Sequence, residues 1–177
     1  MSATGVLRED HEEIRRFGEV VARCHSALLA GADVPLPDLR RIAAVIDEFL
    51  DSVHYSREED SYFPCVASYG LRKEVHDLLV EHEFSRRIAA RLRRYLDGWE
   101  AGADGREPVA RHLRTYCIYL EDHLRKEDDL FERAGAGILS PEEESEMYRQ
   151  FTEDVAAARI RDMKAEVAYL AGRPWAA

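Results

Sequence analysis

Four stretches of this chain carry their apolar residues at alternating steps of four and three, and that spacing leaves little choice of fold. A residue advances about 100° around an α-helix, so steps of four and three hold side chains on one face, whereas a strand needs period two. The pattern is most regular from about Leu71 to Trp99, through Leu71, Val75, Leu78, His82, Ser85, Ala89, Leu92, Leu96 and Trp99. A first helix, from about Thr4 to Ala30, carries Leu7, His11, Ile14, Gly18, Val21, His25 and Leu28 on its seam. The second, from about Pro37 to Val66, is apolar through Leu39, Ile42, Ile46, Phe49, Leu50 and Val53, and stops near Pro64 and Gly70. The fourth carries Val109, Leu113, Tyr116, Leu120, His123, Glu127, Leu130 and Ala134, and Gly135 and Gly137 close it. No segment reads as a strand.

A fifth helix is predicted to open on SPEE, where Ser140 caps, Pro141 suits the first turn and Glu143 completes a capping box, and to end near Gly172. The predicted fold is all-α, an up-down-up-down four-helix bundle over residues 1–135 with a C-terminal helix in 136–177 that packs on its side or serves association. In such a bundle, residues equidistant from a connecting loop lie at one height. The midpoints between His11 and His54, His54 and His82, and His82 and His123 fall inside GADVPLP, PCVASYG and GWEAGADGREP, the three connections. All four histidines therefore belong to one level, on or beside the interior seam.

Two of them sit in repeated motifs. HYSREED, residues 54–60, is echoed by HLRKEDD, residues 123–129. Four positions along a helix is a rotation of about 40°, so Glu58 stacks beside His54 and Glu127 beside His123, facing inward. Four imidazoles and two carboxylates in a helical core are costly alone, since a buried unpaired polar group costs roughly 1 to 3 kcal/mol or more. With two divalent cations they become ligands: two carboxylates bridge and each metal takes two imidazole nitrogens, a set that suits iron, or less well manganese. The first and third helices also repeat each other, LREDHEEIRR against LLVEHEFSRR, so the chain reads as two copies of a histidine helix followed by an HxxxE helix.

Composition excludes other classes. The chain has 177 residues, enough for one core, and a net charge of -10 that opposes nucleic acid and anionic membranes. MSATGVLRED has no secretory character and no run reaches the length of a membrane span, so a soluble, cytoplasmic protein is expected. Cys24, Cys65 and Cys117 are odd in number and widely spaced, which argues against disulfides and thiolate metal sites and for small buried hydrophobes.

The motifs LREDH with His11, HYSREEDSYFP with His54 and Glu58, LLVEH with His82, and HLRKEDDLF with His123 and Glu127 resemble those of the hemerythrin-like, or HHE cation-binding, proteins. The resemblance spans residues 7–131. It implies a non-haem diiron centre with oxo or hydroxo and carboxylate bridges, His11 and His54 serving one iron, His82 and His123 the other, and Glu58 and Glu127 bridging. Members of the family variously bind oxygen, sense iron or oxygen, repair iron-sulfur centres under nitric oxide stress, or decompose peroxide. Oxygen-carrying members have a fifth histidine four residues before His82, where this chain has Leu78, and use an aspartate five residues after the last histidine. Asp128 holds that position but is turned about 100° from Glu127, which occupies the seam. Without the fifth imidazole both irons should keep an exchangeable position, which favours peroxide or nitric oxide chemistry over oxygen carriage.

Among the remaining residues, His25 is about 21 Å along the helix from His11 and reads as a hydrogen-bonded core or end residue. His76 and His112 fall off their seams and are expected in solvent, His76 being the nearer to the site. Glu59, Glu81 and Asp128 read as acids orienting imidazole N–H groups, and Tyr62 and Tyr116 as packing residues. Met147, Phe151, Val155 and Ile160 form an amphipathic stripe. The leading function is peroxide decomposition at a diiron centre. The rival is a binding module for iron, oxygen or nitric oxide, or a labile iron donor, without turnover. O2, H2O2 or NO are the expected partners, in a monomer or homodimer.

Overall fold

The computed structural model describes residues 2–152 and 154–176, with side chains for all of these except 154–157. Among them there is no strand. Helix α1 is Ala3–Leu29, α3 is Arg72–Glu100 and α4 is Arg106–Gly135. Helix α2, residues 36–66, begins as regular helix at Leu36–Val45, widens into π turns at Ile46–Tyr55 and Glu58–Tyr62, and ends in a helical turn at Phe63–Val66. The wide register lets the helix continue past Pro64. The Phe63 N–H reaches back five residues to the Glu58 carbonyl, which eases the clash that a proline ring makes with the carbonyl four residues before it. Gly70, at φ 95°, turns the chain into α3.

The four helices form the bundle, α4 packing on both α1 and α3, and α2 on α3. The interior divides into two apolar clusters. One, toward the C-terminal end of α1, is built on Ile14, Phe17, Ile42, Phe49, Leu92, Leu113 and Leu120. The other holds Leu7, Tyr62, Phe63, Leu78, Leu130 and Phe131. Between them lies one polar layer, because on every helix the apolar residues more than a turn before its histidine and those more than a turn after it belong to opposite clusters.

Beyond the bundle the chain forms two helices in place of the single one expected, α5 at Pro141–Phe151 and α6 at Asp154–Ala171. Thr152 leaves the helical backbone at φ -104° and ψ 14°, and its hydroxyl donates to the Tyr148 carbonyl. The capping box at Ser140 and Glu143 is present in both directions. Glu144 accepts from the Thr4 N–H at 3.0 Å, which gives α5 a hold on the free start of α1. At the far end, buried Asp38 accepts from Arg173 Nε and Trp175 Nε1, both at 2.8 Å. The C-terminal segment thus runs along α1 and α2. Met147 and Phe151 are buried in the second cluster and Ile160 packs on the first, while Val155 lies outside the described side chains. The cysteines are free. Only Cys24 is buried; Cys65 and Cys117 are half-buried and donate to Glu143 and to the Gly18 carbonyl.

Candidate metal centre

The structure brings His11, His54, Glu58, His82, His123 and Glu127 into the polar layer, each with 0% exposure. Their ligating atoms fall into two groups. His11, His54, Glu58 and Glu127 form one and His82, His123 and Glu127 the other. Glu127 presents one oxygen to each group, and Glu58, a member of the first, turns its second oxygen toward His82. Glu127 Oε2 is 3.2 Å from His11 Nε2 and 3.9 Å from His54 Nε2, while its Oε1 is 3.2 Å from His82 Nε2 and 3.1 Å from His123 Nε2. Glu58 is placed likewise, Oε1 3.5 Å from His54 Nε2 and Oε2 3.4 Å from His82 Nε2.

The outer edges of the rings settle which nitrogen carries the proton. His11 Nδ1 donates to Asp128 at 2.8 Å, His82 Nδ1 to Glu59 at 2.7 Å and His123 Nδ1 to Glu81 at 2.9 Å. An ionised carboxylate can only accept, so in the neutral ring the inward Nε2 bears a lone pair. That lone pair faces a carboxylate oxygen, another acceptor. Two acceptors face to face need a proton or a cation between them. Seven of the buried side-chain atoms without a hydrogen-bond partner belong to this layer: His11 Nε2, both His54 nitrogens, both Glu58 oxygens, His123 Nε2 and Glu127 Oε2. The residues therefore fit a pair of cations, since two donors about 2.1 Å from one ion and at right angles lie about 3 Å apart.

Without cations, protons carry the load. Burial and then the facing Glu127 push the Glu58 carboxyl well above its ordinary range. Burial acts upward on Glu127 too, but His123, His11 and His54 outweigh it and hold that carboxyl well below. Burial would lower His123, yet Glu127 and Glu81 raise it to about 9.

The order of residues in the two motifs now has a physical reading. Each acid that orients a ring is paired with a cation: Asp128 with Arg15, Glu59 with Arg86 at 2.8 Å, Glu81 with Lys126, and Asp10 with Arg57. Asp10 stands by His54, 3.6 Å from its Nδ1. Superimposing α1 and α2 on α3 and α4 in register exchanges every member of the set. In REE and KED the middle acid points inward, the last orients a ring on a neighbouring helix, and the first residue pairs with the acid that precedes the histidine of the helix before it in the chain. These are Arg57, Glu58 and Glu59 in one copy and Lys126, Glu127 and Asp128 in the other.

A family model, the hemerythrin HHE cation-binding domain, matches residues 2–135. The chain belongs to that family. No curated protein and no solved structure matches it at a significant level. As an HHE domain it is a cation-binding helical bundle, and the buried histidine and glutamate groups can hold metal. In this HHE domain the place of the carriers' fifth histidine is filled by buried Leu78, in the same apolar cluster as Phe63 and Phe131. Phe131 lies 5.0 Å from the His11 ring and Phe63 5.6 Å from that of His82.

On the opposite side are residues the sequence reading missed. Buried Tyr55 stacks on His82 at 3.8 Å between centroids, Tyr119 stacks on His123 at 5.1 Å, and their hydroxyls meet at 3.2 Å, that of Tyr55 also donating to Ser85. Tyr119 precedes His123 by four, a signal available in the sequence. Asp10 was legible too, as the acid preceding His11. Of the other histidines, His25 donates from Nδ1 to the Ala110 carbonyl at 3.0 Å and His76 is exposed, but His112 is half-buried with its ring edge-on to Tyr95. No helix among the described residues is long and apolar enough to cross a membrane.

Proposed function

We propose that this chain holds two iron ions and decomposes hydrogen peroxide in a catalase-like reaction. His11 and His54 would serve one ion, His82 and His123 the other, and Glu58 and Glu127 would be the residues shared between them. A single observation supports this reading most: Glu127 offers one oxygen to each pair of imidazoles, and the buried Glu58 lies between His54 and His82. Nitrogen and oxygen donors without a thiolate suit iron, with manganese second. When bound, the ion pair supplies a redox-active centre able to exchange electrons with small oxidants.

The chain's own side chains do the rest. Asp128, Glu59 and Glu81 keep the ring protons at Nδ1, so Nε2 stays free for a cation. Leu78, Phe63 and Phe131 keep one side apolar and add no fifth imidazole, so a bound ion pair would keep room for an exchangeable ligand there. Complete burial restricts the centre to reactants of a few atoms. Peroxide meets that limit: one molecule is reduced to water while a second is oxidised to dioxygen. The test is metal content per chain, followed by oxygen evolution from peroxide by the iron-loaded protein. Two irons with oxygen release is the expected result. Two irons without turnover would replace this reading with a binding module for oxygen, nitric oxide or iron, and no bound metal would remove both.

A further inference from the structure

The two halves of the centre repeat each other in residue types but differ in how far their outer acids are buried. Three of the four ring-orienting acids are partly exposed, Asp128 at 38%, Glu59 at 25% and Glu81 at 23%. Asp10 is at 5% and its partner Arg57 at 6%. Lys126, the counterpart of Arg57, is 41% exposed and shares itself with Asp122. The difference comes from the C-terminal segment, which lies outside the region that matches the family.

Arg57 spends one branch of its guanidinium on Asp10 and the other on the Phe151 carbonyl, at 2.6 Å. Its guanidinium also lies 5.6 Å from the centre of the Phe151 ring. Phe151 is the last residue of α5, so its carbonyl is one of those a helix end leaves unpaired, and a cation there also meets the favourable end of the helix dipole. Arg57 immediately precedes Glu58, and Asp10 immediately precedes His11 and faces His54. The end of α5 is thus two hydrogen bonds from Asp10, whose carboxylate stands 3.6 Å from His54 Nδ1, and among the described residues it touches nothing equivalent in the other half-site.

We propose that Arg57 is a positioning residue through which the C-terminal segment controls metal retention at the His11 and His54 position alone. The proposal rests on the two-metal reading above. Without the Phe151 carbonyl to hold its second branch, Arg57 is free to swing with α5. Asp10 then loses its fixed partner, and the carboxylate beside His54 Nδ1 is no longer held in place.

The test is a chelator chase of the full-length protein loaded anaerobically with two equivalents of ferrous iron. Arg57→Lys keeps the charge beside Asp10 but lacks the fork, and Phe151→Ala removes the ring beneath it. In each, one equivalent should leave about ten-fold faster than in the parent and the other at the parent rate, the scale usual for outer partners of metal ligands. Arg149→Lys, a substitution at an exposed residue of α5 paired with its neighbour Glu146, should change neither rate. Circular dichroism checks that each variant keeps its helix content, and Arg57→Lys carries the test should Phe151→Ala fail it. Equal acceleration of both equivalents, or of neither, in a protein that still takes up two irons overturns the role of Arg57 and leaves the two-metal reading standing. Failure of the parent to bind two irons overturns both.

Discussion

Glu127 is the residue on which both half-sites depend, since its two oxygens lie within 3.2 Å of three different imidazoles. Glu127→Gln should therefore abolish binding of both ions in a metal analysis, whereas Asp128→Asn, which only loosens the His11 ring, should weaken binding by about 10- to 100-fold. Acid should act in the same direction. In the metal-free protein His123 is raised to about 9 by Glu127 and Glu81 against the opposing effect of burial, so it holds a proton at neutral pH that a metal must displace. A raised histidine stabilises the metal-free fold fully below its ordinary value of 6.5, and that contribution disappears as pH rises through about 9. Metal uptake should thus release protons and weaken as pH falls from 9 toward 6, by up to about tenfold per pH unit for each proton displaced. A titration calorimeter run in buffers of different ionisation enthalpy reads that proton count directly, and a count of zero would contradict the assignment of charge in the layer.

Among the elements, α2 was the hardest to read from residues alone. An α-helical period buries about one residue in two along a seam, yet Val53, His54 and Tyr55 are consecutive and all buried. The π turns explain this, because a wider turn points more neighbouring side chains to one side. Tyr55 was missed for that reason. The break at Thr152 was equally hidden, since no glycine or proline marks it and the apolar stripe continues on either side. The capping box at Ser140, by contrast, is a local pattern and was legible in four letters. Ser140→Ala should cost α5 about 1 kcal/mol, visible as faster amide exchange over residues 141–151 with the bundle unchanged. Mild acid should reproduce it in part. The Ser140 backbone N–H and hydroxyl and the Tyr69 hydroxyl hold the Glu143 carboxyl down to about 2 from 4.5. A depressed carboxyl contributes stability above its ordinary value and loses it as pH falls through the lowered one. Protection of α5 should then decline between about pH 4.5 and 2, and Ser140→Ala should blunt that decline.

At the scale of the whole molecule, the polar layer cuts the core in two, and each helix contributes to both halves. Its level could be deduced from loop midpoints because helices of similar rise leave little freedom in height once their connections are short, and the π turns of α2 still leave His54 in the layer. The inequality of the two half-sites could not, because it is made by a contact between Arg57 and Phe151, which lie 94 positions apart. A layer of this kind should make the fold depend on metal. The metal-free protein bears a buried carboxyl pair that only protonation makes tolerable, and Glu58 is the member that takes the proton. A protonated carboxyl and a carboxamide have nearly the same shape and can both donate. Glu58→Gln should accordingly leave the thermal midpoint of the metal-free protein within a few degrees of the parent, although Glu58 is wholly buried. In the parent, each ion bound at 100 times its dissociation constant should add about 2.7 kcal/mol to stability, and the variant, lacking one bridge, should lose most of that gain. Parallel melts with and without ferrous iron separate the two effects. A large loss in the metal-free melt would mean that Glu58 is ionised and paired in the absence of metal, and that the layer is held by its own charges.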